Sequence, residues 1–433
     1  MSSGDRKRGS GDGMSAPQAT GLTVNDIMGN PGLLKLELLL RGLRVQPQLL
    51  ANLIKTRGPS AFATAFELDL MLPEGTGATV PVDPKFTSVS PYHLVKRGDA
   101  MDSSYDIECD DVSVPVTLIP PPLFYSRTTE SGIPMGRFAT LHGSYLALSP
   151  ISECQFLGSS DQCQFCSLDG TLPGMGPRMP VYELVDAVKA AQEERAIQMI
   201  YLSVGYIEGS DSGVAALEPY VRALKKSFNV LVAVDALPPS EDRWIDRTYA
   251  MGVDSVSYNL EIFDPDAFER ICPGPARHIG RQRFLDALSY ATTVFNPGAV
   301  ICHLVVGMEP VESTLAGIDE LVRRQVVPVL PTYRPFKGID LRSTADSQIV
   351  EFTTESLSSV YAHLYQRLRE NQIPMGWVRD ISVVTTPMEG RFFVGQQTRL
   401  VGIMERLFND PHRKPHPRLV DLRRTLRVQE TES

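Results

Sequence analysis

Between about residues 139 and 340 the chain repeats one pattern: a short apolar segment, a Gly or Pro break, then an amphipathic stretch. The apolar segments are Tyr145–Ile151, Gln198–Val204, Val230–Leu237, Ser255–Ile262, Ala299–Gly307 and Val326–Tyr333. Unbroken apolarity over so few residues marks strands covered on both faces, as in a parallel sheet. Between them, Leu184, Val185, Val188 and Ala191 share one helical face. Val214, Leu217, Val221, Leu224 and Phe228 advance by threes and fours, again a helix with one buried face. Further helices are expected over Glu241–Met251, Arg281–Phe295 and Val311–Arg324. Parallel strands need crossover connections, and helices supply them with a right-handed sense. The expected fold is α/β, a partial (β/α)6 TIM-like barrel about two strands short of the closed eight. An unclosed barrel leaves an opening for a large substrate.

The flanks have a different texture. A leucine-rich stretch from Pro31 to about Val45 carries Leu36, Leu39, Leu40 and Leu43 at helical spacing, and predicts a packing helix. From about Phe66 to Pro122, β-branched pieces such as Ala78–Val82 and Val112–Ile119 alternate with Gly, Pro and Asp clusters. The expected division is a disordered leader over 1–25, then an N-terminal helix with a β-rich domain over 26–138. The barrel follows over 139–340, and a C-terminal helical extension with a basic tail over 341–433. Within that extension a helix runs from Thr353 to about Glu370, and Trp377–Thr386 reads as a strand. Arg406, Arg413, Lys414, Arg418, Arg423, Arg424 and Arg427 read as a solvated face. The net charge of −9 gives no field for nucleic acid. No apolar run approaches the roughly 20 residues that cross a bilayer. The first residues are rich in Ser, Gly and charge, unlike a signal peptide, so a cytoplasmic protein is expected.

Three of six cysteines crowd into one loop: Cys154, Cys163 and Cys166, with gaps of eight and two residues. In a reducing compartment such crowding points to metal before disulfide. A structural zinc site closes with four ligands, whereas three thiolates hold three corners of a cubane cluster and leave one iron open. No fourth cysteine follows at short spacing, and the nearest upstream histidine, His142, lies twelve residues before Cys154. The loop follows the first expected barrel strand, on the face where barrel enzymes carry their chemistry.

With Phe165 before the last cysteine and a βα series behind it, the chain resembles the radical S-adenosylmethionine (SAM) superfamily. The resemblance implies a [4Fe–4S] cluster on Cys154, Cys163 and Cys166, and SAM bound at the open iron. Reductive cleavage there yields a 5′-deoxyadenosyl radical that takes hydrogen from a substrate. It further implies that Ser203, Val204, Gly205 and Tyr206 pair with the SAM amino group. Tyr258-Asn259-Leu260-Glu261 resembles the Asn-Leu-Glu run of biotin and lipoyl synthases, which would turn Asn259 or Glu261 toward the ribose or the methionine portion. The segment with Gly307 would pass beneath adenine, and Arg334 would reach the same rim. A narrower resemblance is to an uncharacterised bacterial radical SAM family encoded beside nitrilases. It shares the run from Phe138 through His142 to Ser144, the Cys-Gln-Phe-Cys ending, and the Glu261…Cys272-Pro273-Gly274 layout apart from Cys272 itself. The long first cysteine gap and the absent Gly-Gly-Glu motif are departures from the superfamily pattern.

Glu261, His303 and Arg334 are the catalytic candidates, and Asp235, closing the third strand, is a further rim carboxylate. A lone histidine near an apolar strand is more often a hydrogen-bonded core residue, which is the bland reading of His142 and His303. Cys109, Cys272 and Cys302 stand singly, and their bland reading is small buried apolar residues. The alternative is an auxiliary cluster in a sulfur-inserting enzyme. A third reading is a zinc-binding barrel with no enzymatic role. The expected partners are a small-molecule substrate and an electron donor such as flavodoxin or ferredoxin, with neither nucleic acid nor membrane.

Overall fold

The computed structural model describes residues 21–54, 67–98, 104–166, 176–333 and 352–394. Arg334, the basic tail and residues 1–20 of the expected leader lie outside these. Two helices open the described chain, α1 (Val24–Gly29) and α2 (Pro31–Arg41). Thr23 caps α1 with a reciprocal Thr23–Asp26 box, so helix begins inside the last residues assigned to the leader. Asn30 caps α2 through Gly32 and Leu33 N–H groups at 3.0 and 3.2 Å, and Pro31 presets its first turn.

A six-stranded sheet follows, built from β1 (Arg44–Val45), helix α3 (Pro47–Ile54), β2 (Glu67–Leu72), β3 (Thr76–Pro81), β4 (His93–Arg97), β5 (Ser104–Cys109) and β6 (Val112–Ile119). Its order is β1-β4-β5-β6-β2-β3, antiparallel except for the β1–β4 pair. Helix α2 serves two cores. Leu34 and Leu38 pack with this sheet, while Leu36 packs with the larger core beyond it.

The larger core surrounds a seven-stranded sheet. Its strands are β7 (Ala139–His142), β8 (Tyr145–Leu148), β9 (Met199–Ser203), β10 (Leu231–Asp235), β11 (Ser255–Ser257), β12 (Val300–His303) and β13 (Val327–Val329), in sequential order. From β8 to β13 every pair is parallel. The crossovers carry α4 (Val181–Glu194), α5 (Glu218–Ser227), α6 (Arg243–Ala250), the trio α7 (Pro265–Ile271), α8 (Pro273–His278) and α9 (Arg281–Val294), and α10 (Val311–Arg323). The result is an α/β fold with a curled half-barrel sheet. Each apolar segment of the sequence contains one of these parallel strands. The periodicity did not separate out β7, which pairs antiparallel with β8 through a tight turn at Gly143–Ser144 and extends the sheet at its first edge.

Helix α11 (Thr354–Glu370) then packs across α10 and α2. The expected strand over Trp377–Thr386 is absent. Gly376–Val378 form a 3-10 turn, and the segment behind it spends its polar groups on side-chain contacts. Ser144 donates to Asp380, Arg379 holds Asp380 at 2.7 Å, and Tyr145 donates to Gly376 O at 2.8 Å. Those contacts leave one backbone bond toward the six-stranded sheet, Thr79 N–H to Ser382 O at 3.0 Å, where a strand would need a ladder.

This segment and the turn Pro387–Phe393 wedge between the two sheets around a buried ion pair. Lys35 Nζ is 2.7 Å from Glu389 Oε1, with the lysine side chain wholly buried. Burial lowers the Lys35 pKa and raises that of Glu389, and each charge opposes the other's shift. Removing one partner strands a buried charge, at a cost of about 3–5 kcal/mol, whereas replacing both is close to neutral. Lys35→Met should therefore lose about 3 kcal/mol or more in urea unfolding, and Lys35→Met with Glu389→Gln should recover most of it. Equal losses in the single and double variants would show that the pair is not the contact that matters.

Candidate active site

The parallel strands β8 to β13 all end on one rim, and the cysteine loop leaves that rim from β8. The loop contains neither helix nor strand, so its backbone groups are bonded elsewhere. On one side Gln155 N–H donates to Tyr206 O at 2.9 Å, and Glu208 N–H donates to Gln155 Oε1 at 2.8 Å. The Phe156 ring stacks on Tyr206, with centroids 4.3 Å apart and planes within 9°. Gly205 lies so close that a Cβ there would sit 2.4 Å from Cys154 Cβ and 2.6 Å from Glu153 O. Glycine is required at Gly205 by this approach of two backbones.

On the other side the loop lies against the α7–α8 junction. Gln164 N–H donates to Ile271 O at 2.9 Å, and Gln164 Nε2 donates to Arg270 O at 2.7 Å. Gly274 N–H donates to Asp161 O at 3.0 Å. The Asp161 carboxylate receives Arg277 and, at 2.7 Å, His278 Nε2. Cys272 is buried, and the Asp161–Gly274 and Gln164–Ile271 backbone bonds set it opposite Cys163. The neighbouring Cys272 thiol lowers the Cys163 pKa, and Cys163 together with burial raises that of Cys272 well above the ordinary thiol range.

Inward from the loop, the strand ends present a polar floor. Tyr201 and Ser203 of β9, Asp235 of β10, His303 of β12, and Asn259 and Glu261 beyond β11 keep partial solvent contact, while their strand neighbours are buried. They line the hollow of the half-barrel. Asn259 is the hub. Its Nδ2 donates to Asp235 Oδ1 at 2.9 Å, and its Oδ1 accepts from Ser257 Oγ at 2.6 Å and from His303 N–H at 3.0 Å. The side chain thereby replaces a rung of the β11–β12 ladder, which resumes at Glu261: its N–H donates to His303 O at 2.9 Å and its O accepts from Val305 N–H at 2.7 Å. The extra residues between the rungs turn Glu261 into the left-handed region, at φ 67°. Such a conformation in a residue with a Cβ costs roughly 1–3 kcal/mol and is typical of functional positions.

The surrounding walls set the charges. Burial raises Asp235 to about 7 and lowers His303 to about 4. Glu261 is raised well above the usual carboxylate range, first by burial and then by Asp235 and Cys163.

The other residues named from the sequence divide between this rim and places remote from it. Val204 is buried, with its N–H on Asp235 O at 3.0 Å. Ser203 Oγ lies 3.4 Å from Ser149 Oγ, Phe165 packs on the large core, and Gly307 follows β12 at φ 103°. His142 ends β7 at the opposite end of the sheet, where its Nδ1 lies 3.4 Å from Ser382 Oγ. Cys302 is fully buried, its Sγ 3.4 Å from Leu260 N–H, and Cys109 belongs to the N-terminal core. Thus Cys109, Cys272 and Cys302 are not brought together. Sequence reasoning missed Ser257 and Tyr201, hidden inside apolar runs, and the docking of Asp161 and Cys272. The Cys-Pro-Gly layout at 272–274 was the available signal for the last.

Among the described residues no three His, Cys, Asp or Glu side chains converge as a preformed metal site. The loop thiols fit an iron–sulfur cluster through their chemistry and placement: three thiols on one loop, all partly exposed, at the rim of a polar hollow.

No family model matches the chain. It is 28% identical over 209 residues to a bacteriochlorophyllide c C-7(1)-hydroxylase of Chlorobaculum limnaeum, covering 47% of this chain and 48% of that protein. The chain thus spans about half the length of this curated relative. Solved structures with some likeness include an FeFe-hydrogenase maturase from Carboxydothermus hydrogenoformans, at TM-score 0.42 and 15% identity, over 61% of this chain and 65% of that one. A radical SAM methyltransferase from Sphaerobacter thermophilus gives 0.36 and 15%, over 66% and 77%. The three-thiol loop and the partial likeness to this hydroxylase are the observations that bear on the chain's function. Among the described residues no helix is long and apolar enough to cross a membrane.

The buried Asp235 makes a pH prediction. Between its ordinary value of 3.8 and about 7 the folded chain holds a proton that the unfolded chain has released. Its contribution to stability is therefore complete below about pH 4, declines as pH rises, and is lost above about pH 7. Asp235→Asn keeps an acceptor for Asn259 and cannot ionise. The thermal midpoint of the native chain should fall relative to that of Asp235→Asn between about pH 4 and pH 7. Parallel pH curves would refute a proton held at Asp235.

Proposed function

We propose that Cys154, Cys163 and Cys166 hold a [4Fe–4S] cluster in a partial (β/α)6 barrel, and that the enzyme abstracts hydrogen from a small or medium metabolite. The cysteine loop at the strand-end rim, packed against Gly205 on one side and the α7–α8 junction on the other, carries this reading. When bound, the cluster and SAM supply the 5′-deoxyadenosyl radical, so the difficult chemistry is the cofactor's. The chain's own work is to bind, orient and shield.

Ser203 to Tyr206 run beside Cys154 and offer backbone groups for the amino acid end of SAM. Asn259 and Glu261 offer polar atoms on the adjoining strand end, and the segment carrying Gly307 is the one assigned to adenine. Asp235, Asn259 and Ser257 form one hydrogen-bonded unit that keeps these groups in register. His303, held neutral by burial, presents an uncharged imidazole to the hollow. The curated relative is named a hydroxylase, and hydroxylation of carbon begins with removal of a hydrogen, which suits the same initiating step. The electron is taken to come from a small carrier such as flavodoxin or ferredoxin.

Anaerobic reconstitution with iron and sulfide, followed by dithionite and SAM, tests the reading. The native chain should bind about four irons and release 5′-deoxyadenosine. Cys154→Ala, Cys163→Ala and Cys166→Ala should each fall to the level seen without protein. Gly205→Ala should also lower iron loading, because the added methyl displaces the Cys154 backbone. An iron-loaded native chain that releases no deoxyadenosine would exclude this function.

A further inference from the structure

Away from the cysteine loop, at the starts of the parallel strands, a cleft of about 550 Å³ opens between the two sheets. Small-molecule sites commonly measure roughly 300–1,000 Å³. The six-stranded sheet contributes its β3 edge, through Thr76, Gly77 and Ala78, and the half-barrel contributes Leu141 of its β7 edge. Four basic and three acidic side chains line the cleft. The acids are all engaged. Glu389 holds Lys35 at 2.7 Å, Asp380 holds Arg379 at 2.7 Å, and Asp69 accepts from Thr79 Oγ1 at 2.7 Å. The guanidiniums of Arg195 and Arg391 make no ion pair among the described residues. Arg195 Nη2 donates to Pro120 O at 3.3 Å, and Arg391 lies over the Phe392 ring at 4.7 Å. A guanidinium carries five N–H donors in a fork that matches a carboxylate, so most of this donor capacity is uncommitted.

The same cleft holds a second kind of unmet polar group. Thr76 is 4% exposed, and its Oγ1 is buried without a hydrogen-bond partner. A hydroxyl in that condition costs stability until an acceptor or donor meets it. The β3 edge adds backbone. Thr79 N–H points away from β2 to Ser382 O at 3.0 Å, so the Gly77 amide, two residues back, faces the same side. Beside these groups Met71, Ile119, Pro120, Pro122 and Met388 give an apolar wall.

We propose that this cleft binds a small amphipathic carboxylate, its charge answered by Arg195 and Arg391 and its apolar body laid along Met71, Ile119 and Pro120. The lining acids choose the charge. One excess cation matches a monoanion, whereas a phosphate dianion would be repelled by Asp69, Asp380 and Glu389. The walls belong to both sheets, so such a ligand ties the N-terminal sheet to the half-barrel and stabilises the native chain. No group in this cleft lies on the strand-end rim, and the inference is independent of the cluster.

The test is isothermal titration calorimetry, with thermal midpoints, on the full chain, using sodium octanoate, 1-octanol and inorganic phosphate as probes. Octanoate should bind saturably, in the millimolar range or tighter, and raise the midpoint. Octanol and phosphate should each bind at least about tenfold more weakly. Arg195→Gln combined with Arg391→Gln should raise the octanoate Kd about tenfold or more, and Thr76→Val should raise it by a smaller factor. Both arginines are only partly buried, so the double variant should keep the native circular dichroism. No saturable octanoate binding overturns the proposal. Native affinity in the double variant overturns it too, by putting octanoate elsewhere. Phosphate as tight as octanoate would make this a site for an anion without an apolar body, and octanol as tight would remove the need for charge; either result overturns the carboxylate. The octanol and phosphate arms use the native chain, and they decide the matter if the double variant does not fold.

Discussion

A loop of thirteen residues with no ladder of its own is held here by borrowed backbone bonds. Cys154 to Cys166 would be a floppy excursion if each carbonyl and amide turned to water. Instead the first half bonds to the Gly205–Glu208 turn and the second half to residues 270–274. Three thiols on such a loop are arranged by their neighbours, and so the site depends on two close approaches. Gly205 against Cys154 fixes one end, and Gly274 against Asp161 fixes the other. Neither tolerates a side chain. The long first cysteine gap therefore gains a structural meaning: the extra residues reach the α7–α8 junction, where Asp161 is gripped by Arg277 and His278.

The hollow under the loop is polar at some thermodynamic cost. Asp235, Glu261 and His303 are each enclosed enough to shift toward neutrality. A structure selected for stability alone would place aliphatic side chains at these strand ends, as it does one residue earlier with Val234 and Leu260. The cost is contained by Asn259, which satisfies Asp235 and the His303 amide together. It also splits the β11–β12 ladder, and that split is what aims Glu261 inward. Strain at Glu261 and the polarity of the floor are thus one device.

The strands and crossover helices were legible in the sequence because a parallel sheet covered on both faces leaves unbroken apolar runs, and covering helices leave a three-to-four rhythm. Strand β7 was hidden because Ala139–His142 and Tyr145–Leu148 form one apolar stretch, divided only by Gly143 and Ser144. The segment after Trp377 was misread for the opposite reason. Val383, Val384 and their neighbours have strand composition, yet Asp380 and Ser382 tie the chain to Ser144 and Thr79 before a ladder can form. In the site, the cysteine spacing was readable because its ligands are close in sequence. The Cys163–Cys272 contact spans more than a hundred residues, and no local pattern encodes it. Asn259 was visible as part of a motif, but its role as hub depends on the neighbouring strands β10 and β12.

Chemistry and cohesion lie at opposite ends of the half-barrel. At the rim the loops are bonded through backbone and a few polar side chains, and the floor carries strained and neutralised groups. At the starts of the strands the two sheets meet around Lys35, Glu389, Arg379 and Asp380, beside a cleft of about 550 Å³ lined also by Arg195, Arg391 and Asp69. Helix α2 joins the two cores there, and α11 clamps it from outside. This division follows from parallel topology. All strand ends of one kind fall on one face, so that face collects the long, irregular connections while the other keeps the short ones. The radical chemistry proposed for this site needs groups that are held still, and the stiffness must then come from the packed sheet and the strand starts, because the rim has little regular structure with which to supply it.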